Sequence, residues 1–191
     1  MNVFTDLDAC IFDQDGTLYC NQTQLAQALS ERTRDWLLSH VEPKISFQEV
    51  KNRFPNFTDA LAHYSLSLSK WHLDVCDPLS NSMHQLIERD NALINFLNSL
   101  SCSHYLVTLS SQKFTKTLLN ILGLENHFKK VFNLTIEDKG PAYTEILRLE
   151  QLDPSRICVF GDNLDIDLTP ARIQGFTTFL VDPFSSISQQ F

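Results

Sequence analysis

Two acids one residue apart, Asp13 and Asp15, close an apolar run and lead at once into Gly16 and Thr17 in the stretch "CIFDQDGTLYC" (10–20). Side chains alternate on an extended chain, so both carboxylates project to the same side. That arrangement costs free energy unless a cation sits between them or one keeps its proton. Further on, "LVTLSS" offers Thr108, Ser110 and Ser111, "EDKG" offers Lys139, and "FGDNLDIDL" offers Asp162, Asp165 and Asp167. Clustered carboxylates suit Mg²⁺, a hard cation that prefers oxygen ligands and keeps some of its waters. A hydroxyl with free backbone N–H groups at a helix start cradles phosphate oxygens. A lysine adds compact positive charge to a group that spreads negative charge in its transition state. These residue types together fit phosphoryl transfer, where a carboxylate nucleophile splits a hard hydrolysis into two easier steps.

Such residues act together only if the fold brings them to one place, and the pattern along the chain says how. Residues 8–13 read as a short buried strand ending at Asp13. From about 21 to 41 the period is helical, with Leu25, Leu29, Trp36 and Leu37 on one face. Ser46 with Glu49 three residues on forms a capping box for a second helix. Helical text continues through "FTDALAHYSLSL", with breaks expected at Pro55 and near Pro78, and no strand signal appears between 20 and 100. After that, strands at 104–109, 129–134, 156–162 and 177–182 alternate with helices at 112–124, 142–152 and 168–175. This alternation implies parallel βαβ units. Ligands of an open parallel sheet bind beyond the carboxyl ends of its strands. Those ends deliver Asp13, Asp15, Gly16, Thr17, Thr108, Lys139 and Asp162 to one crevice.

Composition narrows the partners. The chain has 191 residues, 43% hydrophobic and 20% charged, as in an ordinary globular protein. A net charge of −8 argues against a nucleic-acid polymer as partner. It leaves an anionic small molecule open, because a bound dication reverses the local field. The first ten residues hold acids and no basic stretch, so no secretory signal is expected there. No apolar run is long enough to span a bilayer. Five cysteines without metal spacing fit a reducing, cytoplasmic setting. The aromatic residues Tyr19, Phe54, Phe57 and Tyr64 read first as core, with a ring-stacking pocket as the alternative.

The block "FDQDGTLY" resembles the first signature of the haloacid dehalogenase superfamily, an apolar strand followed by Asp-x-Asp-Gly-Thr. The resemblance extends over nearly the whole chain: "LVT" is similar to the second signature, the Lys139 region to the third, and "FGDNLDIDL" to the fourth. The spacing of "LLNILGLENHF" and "LDPSRICVFGDN" with "TPARIQGFTTFLVD" is most similar to the pyrimidine 5′-nucleotidase subgroup. The resemblance implies a Rossmann-like three-layer α/β core with a parallel sheet over 1–19 and 88–191, and a helical cap over 20–87 inserted after the first strand. It implies Mg²⁺ as cofactor, and a small phosphorylated metabolite as substrate of a monomer or homodimer.

The roles implied are specific. Asp13 would be nucleophile and metal ligand, and Asp15 general acid and then base, its backbone carbonyl also on the metal. Asp162 would complete the Mg²⁺ site, with Asp167 supporting it or orienting the lysine; counting back from Gly175 favours Asp167 over Asp165. Thr108 would bind the phosphoryl group, in preference to Ser110, and Lys139 would bridge phosphate and nucleophile. Gly16 would permit the turn, and Thr17 would follow it at the phosphate. One departure stands out: the family commonly has Asn after the second-signature Thr, and here it is Leu109. The activity implied is a Mg²⁺-dependent phosphatase for phosphate monoesters, with a nucleoside 5′-monophosphate as leading substrate. A phosphomutase, a sugar-phosphate phosphatase and a catalytically weak binding domain remain as alternatives.

Overall fold

The computed structural model describes residues 7–41, 45–54, 57–136 and 138–190. Its sheet contains β1 (Ala9–Phe12), β2 (Ser103–Thr108), β3 (Lys130–Asn133), β4 (Ile157–Gly161) and β5 (Thr177–Leu180), all parallel, in the order β3-β2-β1-β4-β5. Each strand lies within two residues of its predicted bounds. In the central strands, period-two alternation sends side chains into two separate apolar layers. Cys10, Phe12, Leu106, Cys158 and Phe160 enter one layer, and Ala9, Ile11, Tyr105, Val107 and Val159 the other. Burial on both faces is why these strands read as near-continuous apolar runs.

The chain steps outward from β1 to β3 on one side and from β4 to β5 on the other. The loops after β1 and β4 therefore part company, and a crevice opens at that switch point.

The second layer is closed by α8 (Gly140–Glu150) through Tyr143 and Ile146, and by Ala171 of α9 (Thr169–Ile173). The first layer is larger. It runs from Phe12 and Phe160 into α6 (Asn91–Ser99), α7 (Gln112–Leu122) and α10 (Ile187–Gln190), and on into the helices between β1 and β2. Those are α1 (Gln24–His40), α2 (Phe47–Arg53), α3 (Phe57–His63), α4 (Leu68–Trp71) and α5 (Asp77–Ser80). Among the described residues no strand lies between β1 and β2.

Local chemistry accounts for the helix starts. Thr23 caps α1 by accepting from the Ala26 N–H. The predicted capping box is present: the Ser46 hydroxyl accepts from the Glu49 N–H, and the Glu49 carboxylate accepts from the Ser46 N–H at 2.7 Å. Gly123, at φ +79°, ends α7 in the left-handed conformation that glycine adopts without steric cost.

Three expectations need correction. Pro78 does not break the helical run: it lies in α5, directly after a π-helical turn. A π-helical turn, His72–Cys76, carries the chain from α4 into α5 without interruption. The sequence reading assigned nothing between 81 and 103, yet α6 forms there; it buries only Leu93 and Leu97, too short a repeat to stand out. The 168–175 helix is shorter, Thr169–Ile173, with a second π turn, Leu164–Leu168, before it. Pro55 and residues 1–6 lie outside the described residues. Among the described residues no helix is long and apolar enough to cross a membrane.

Candidate active site

The loop after β1 is pinned to the neighbouring strand by the Asp13 N–H, which donates to the Phe160 carbonyl at 2.9 Å. Gly16 then turns the chain at φ +82°, and a Cβ there would lie 2.4 Å from a carboxylate oxygen of Asp162. Only glycine lets this loop approach the β4 end so closely. Thr17 and Leu18 close the turn by donating to the Gln14 carbonyl.

Lys139, on the loop leading into α8, is 1% exposed. Its ammonium lies 2.6 Å from Asp13 Oδ1 and 2.7 Å from Asp167 Oδ1. The second Asp167 oxygen accepts from the Asn163 N–H at 3.0 Å, and the Tyr143 hydroxyl donates to the Asp167 carbonyl. The lysine is thus aimed by a residue whose carboxylate and main-chain carbonyl are each held by a donor. Asp13, Asp162 and Asp167 each offer an oxygen within 4.8 Å of the others.

This cluster carries more negative charge than it can neutralise. Burial pushes the Asp13 carboxyl well above the usual range; Lys139 opposes this, and Asp167, Asp15 and Asp162 add to it. Burial likewise lifts Asp162 to about 6, with Asp167 and Asp15 contributing. For Lys139, burial disfavours the ammonium, but Asp13 and Asp167 outweigh it and hold the proton firmly. Three clustered carboxylates with one ammonium among them leave room for a second cation.

Asp15 faces the other way. Its carboxylate accepts from Ser110 Oγ at 2.7 Å, from the Tyr19 hydroxyl, and from Gln14 Nε2 at 3.2 Å. The two acids of the Asp-x-Asp pair are therefore neutralised separately, Asp13 by Lys139 and Asp15 by hydroxyl and amide donors. That separation answers how like charges tolerate one loop.

Not every predicted residue joins this group. Thr108 is fully buried, and its hydroxyl accepts from the Ser110 N–H at 3.0 Å; among the described residues no hydrogen bond ties it to the aspartates. Ser110, which the sequence reading set aside, is the hydroxyl that meets Asp15. Asn133, also unremarked, ends β3 and donates to the Ser110 carbonyl at 2.9 Å, bracing that loop. The Leu109 carbonyl meets His72 Nε2 at 2.7 Å, which fastens the loop to the helical segment. Thr17 is buried, and its hydroxyl has no partner among the described residues. Asp165 is exposed, whereas Asp167 is buried.

A cavity of about 370 Å³ extends from Asp15 and Tyr19 into the helices that follow β1. Its wall includes Leu29, Phe47, Phe54, Phe57 and Trp71.

A profile of the haloacid dehalogenase-like hydrolases matches residues 7–175, which takes in every strand except β5 and all the acidic residues above. The chain belongs to the haloacid dehalogenase-like hydrolase family. Solved structures of this family share its fold. A haloacid dehalogenase-like hydrolase from Streptococcus pneumoniae aligns over 96% of this chain and 89% of its own, at a TM-score of 0.63 and 18% identity. A haloacid dehalogenase family enzyme from Bacteroides thetaiotaomicron, crystallised as a magnesium complex, aligns over 98% and 99%, at a TM-score of 0.61 and 13% identity. An alanine variant of the same enzyme holds magnesium and inorganic phosphate. No curated protein sequence matches the chain.

Proposed function

We propose that this family member is a Mg²⁺-dependent phosphatase of small phosphate monoesters, working through an aspartyl-phosphate on Asp13. The observation that carries this reading is Lys139, buried and held between Asp13 and Asp167 beside Asp162. A buried lysine bonded to a carboxylate serves phosphoryl transfer by holding the nucleophile and meeting the charge of the incoming group.

The donor set fits the metal. Three carboxylates within 4.8 Å, with no sulfur or imidazole among them, suit a hard dication. Asp13, Asp162 and the Asp15 backbone carbonyl would hold it, and Asp167 would orient Lys139. Bound there, the dication would supply charge to the phosphoryl oxygens that the carboxylates would otherwise repel.

The chain's own groups then divide the work. Lys139 ties down Asp13 Oδ1, which leaves Oδ2 to attack phosphorus. Asp15, held by Ser110 and Tyr19, gives a proton to the departing alkoxide. It then takes one from the water that opens the acyl phosphate, so one group serves both half-reactions. The Thr17 hydroxyl, which has no partner among the described residues, would donate to a phosphate oxygen, together with Thr108. The helices of residues 20–87 would act as the cap that covers the crevice and excludes water.

The leading substrate is a nucleoside 5′-monophosphate, as in the pyrimidine 5′-nucleotidase subgroup that the sequence resembles. The test is phosphate release from nucleotides, sugar phosphates and an aryl phosphate, with Mg²⁺ and with EDTA. Metal-dependent release is expected. Release that is indifferent to metal would sink the reading.

A further inference from the structure

The cavity beside Asp15 is built unlike the rest of the site. At its inner end are Asp15 and Tyr19, the pair whose hydrogen bond fixes the leaving-group acid. Its walls are hydrocarbon: Leu29 from α1, Phe47 and Val50 from α2, and Phe54, Phe57 and Trp71. These rings are fixed in place. Phe57 meets Trp71 edge-on at 5.3 Å between centroids, and Phe54 packs on His63 at 4.8 Å and on Tyr64 at 5.8 Å.

The one hydroxyl deep in the wall, Thr33, already accepts from the Trp71 indole N–H at 3.0 Å. Donors remain at the rim, where Asn21, Ser30 and Lys51 line both this cavity and a neighbouring one with Glu31.

Resting on the phosphatase reading, the geometry points to a substrate class: phosphate monoesters whose alcohol carries a heteroaromatic ring, seated against Phe54 and Phe57 with its carbonyl groups turned to the Asn21 and Lys51 donors. A polyhydroxylated sugar in this cavity would leave its hydroxyls unpaired against hydrocarbon, which disfavours it. A ring buries apolar surface and stacks on aromatic faces, and a volume of this size holds a group of nucleobase dimensions. Phe54 is the specificity-determining residue in this arrangement. It touches the leaving group and none of the reacting atoms.

The matched pair that tests this is uridine 5′-monophosphate against ribose 5-phosphate, which carries a hydroxyl at C1 in place of the ring. Phosphate release should show kcat/KM at least about tenfold higher for the nucleotide, with most of the difference in KM. Phe54→Ala should bring the ratio towards one, and Phe54→Tyr, which keeps a ring, should restore it. Equal or faster turnover of ribose 5-phosphate by the wild type would overturn the proposal while leaving the phosphatase reading intact.

If neither ester nor phenyl phosphate is hydrolysed, the phosphatase reading fails, and the cavity is judged by binding. Uridine added to the wild-type protein should then change the emission of Trp71 saturably, and less so in Phe54→Ala. No change in emission would overturn the proposal on its own.

Discussion

The strand ends and the helices between β1 and β2 meet at Asp15 and Tyr19, and they are built on opposite principles. At the strand ends, charge is buried and paired: Lys139 spans Asp13 and Asp167, and Asn163 and Tyr143 hold Asp167 in turn. Across the boundary, the helices line their cavity with rings and aliphatic side chains. A buried ion network tolerates almost no change, because removing one partner strands the others in a low-dielectric site. An apolar wall tolerates exchange of similar volumes at modest cost. On the proposed function, the sheet side would fix the chemistry and the helical side would be free to set the choice of substrate.

Variants on the two sides should differ in size and in kind. The largest effect is expected at Asp13: Asp13→Asn should lower kcat by about 10³-fold or more, with the fold kept in circular dichroism. Lys139→Ala comes next. It should cost about 3–5 kcal/mol of stability in denaturant unfolding, because Asp13 and Asp167 lose the ammonium they share. Gly16→Ala should push Asp162 aside and lower Mg²⁺ affinity, read by calorimetric titration, because the added methyl would sit 2.4 Å from its carboxylate. Tyr19→Phe removes one donor from Asp15 and should lower kcat by about tenfold, the scale of one hydrogen bond to a charged group. If Phe54→Ala cost as much kcat as Asp13→Asn, the division between the two sides would be lost.

Protonation sharpens the same contrast. Asp162 titrates near 6 in the fold and lower when unfolded, so the folded state holds the extra proton between those values. Stability without metal should fall as pH rises through that window, and the penalty should be complete above about 6. Added Mg²⁺ offsets it, so the thermal shift produced by Mg²⁺ should be larger at pH 7.5 than at pH 5. At 100 times its dissociation constant the ion should add about 2.7 kcal/mol. A shift of equal size at both pH values would place the metal away from Asp162.

The two regions also differ in how much the sequence disclosed. The strands, their parallel direction and the glycine turn were legible, because buried strands and Asp-x-Asp-Gly-Thr leave strong local patterns. Lys139 was singled out because it follows a strand end, and Asp167 by counting back from Gly175; the fold brings the two within 2.7 Å of each other. Ser110 was passed over, since its contact with Asp15 depends on how the loop after β2 folds back across 95 residues of separation. Asn133 braces that loop from a neighbouring strand, and nothing in its local sequence signals this. The π turns at His72–Cys76 and Leu164–Leu168 follow from packing, because each fits an extra residue into a helix whose two ends are already fixed. The aromatic residues were visible, but whether they filled a core or lined a cavity was not. The fold does both: Phe54 and Phe57 pack against the core and also face the cavity, while Tyr64 packs against the core and Phe54 without lining the cavity.

The most direct measurement is phosphate release by wild type and Asp13→Asn, each with Mg²⁺ and with EDTA, on a nucleoside 5′-monophosphate and an aryl phosphate. Turnover by the wild type that needs Mg²⁺, and its loss in Asp13→Asn, is the expected result. Turnover by Asp13→Asn at the wild-type rate, or by the wild type in EDTA, would contradict the assignment of Asp13 as the nucleophile in a metal-dependent site.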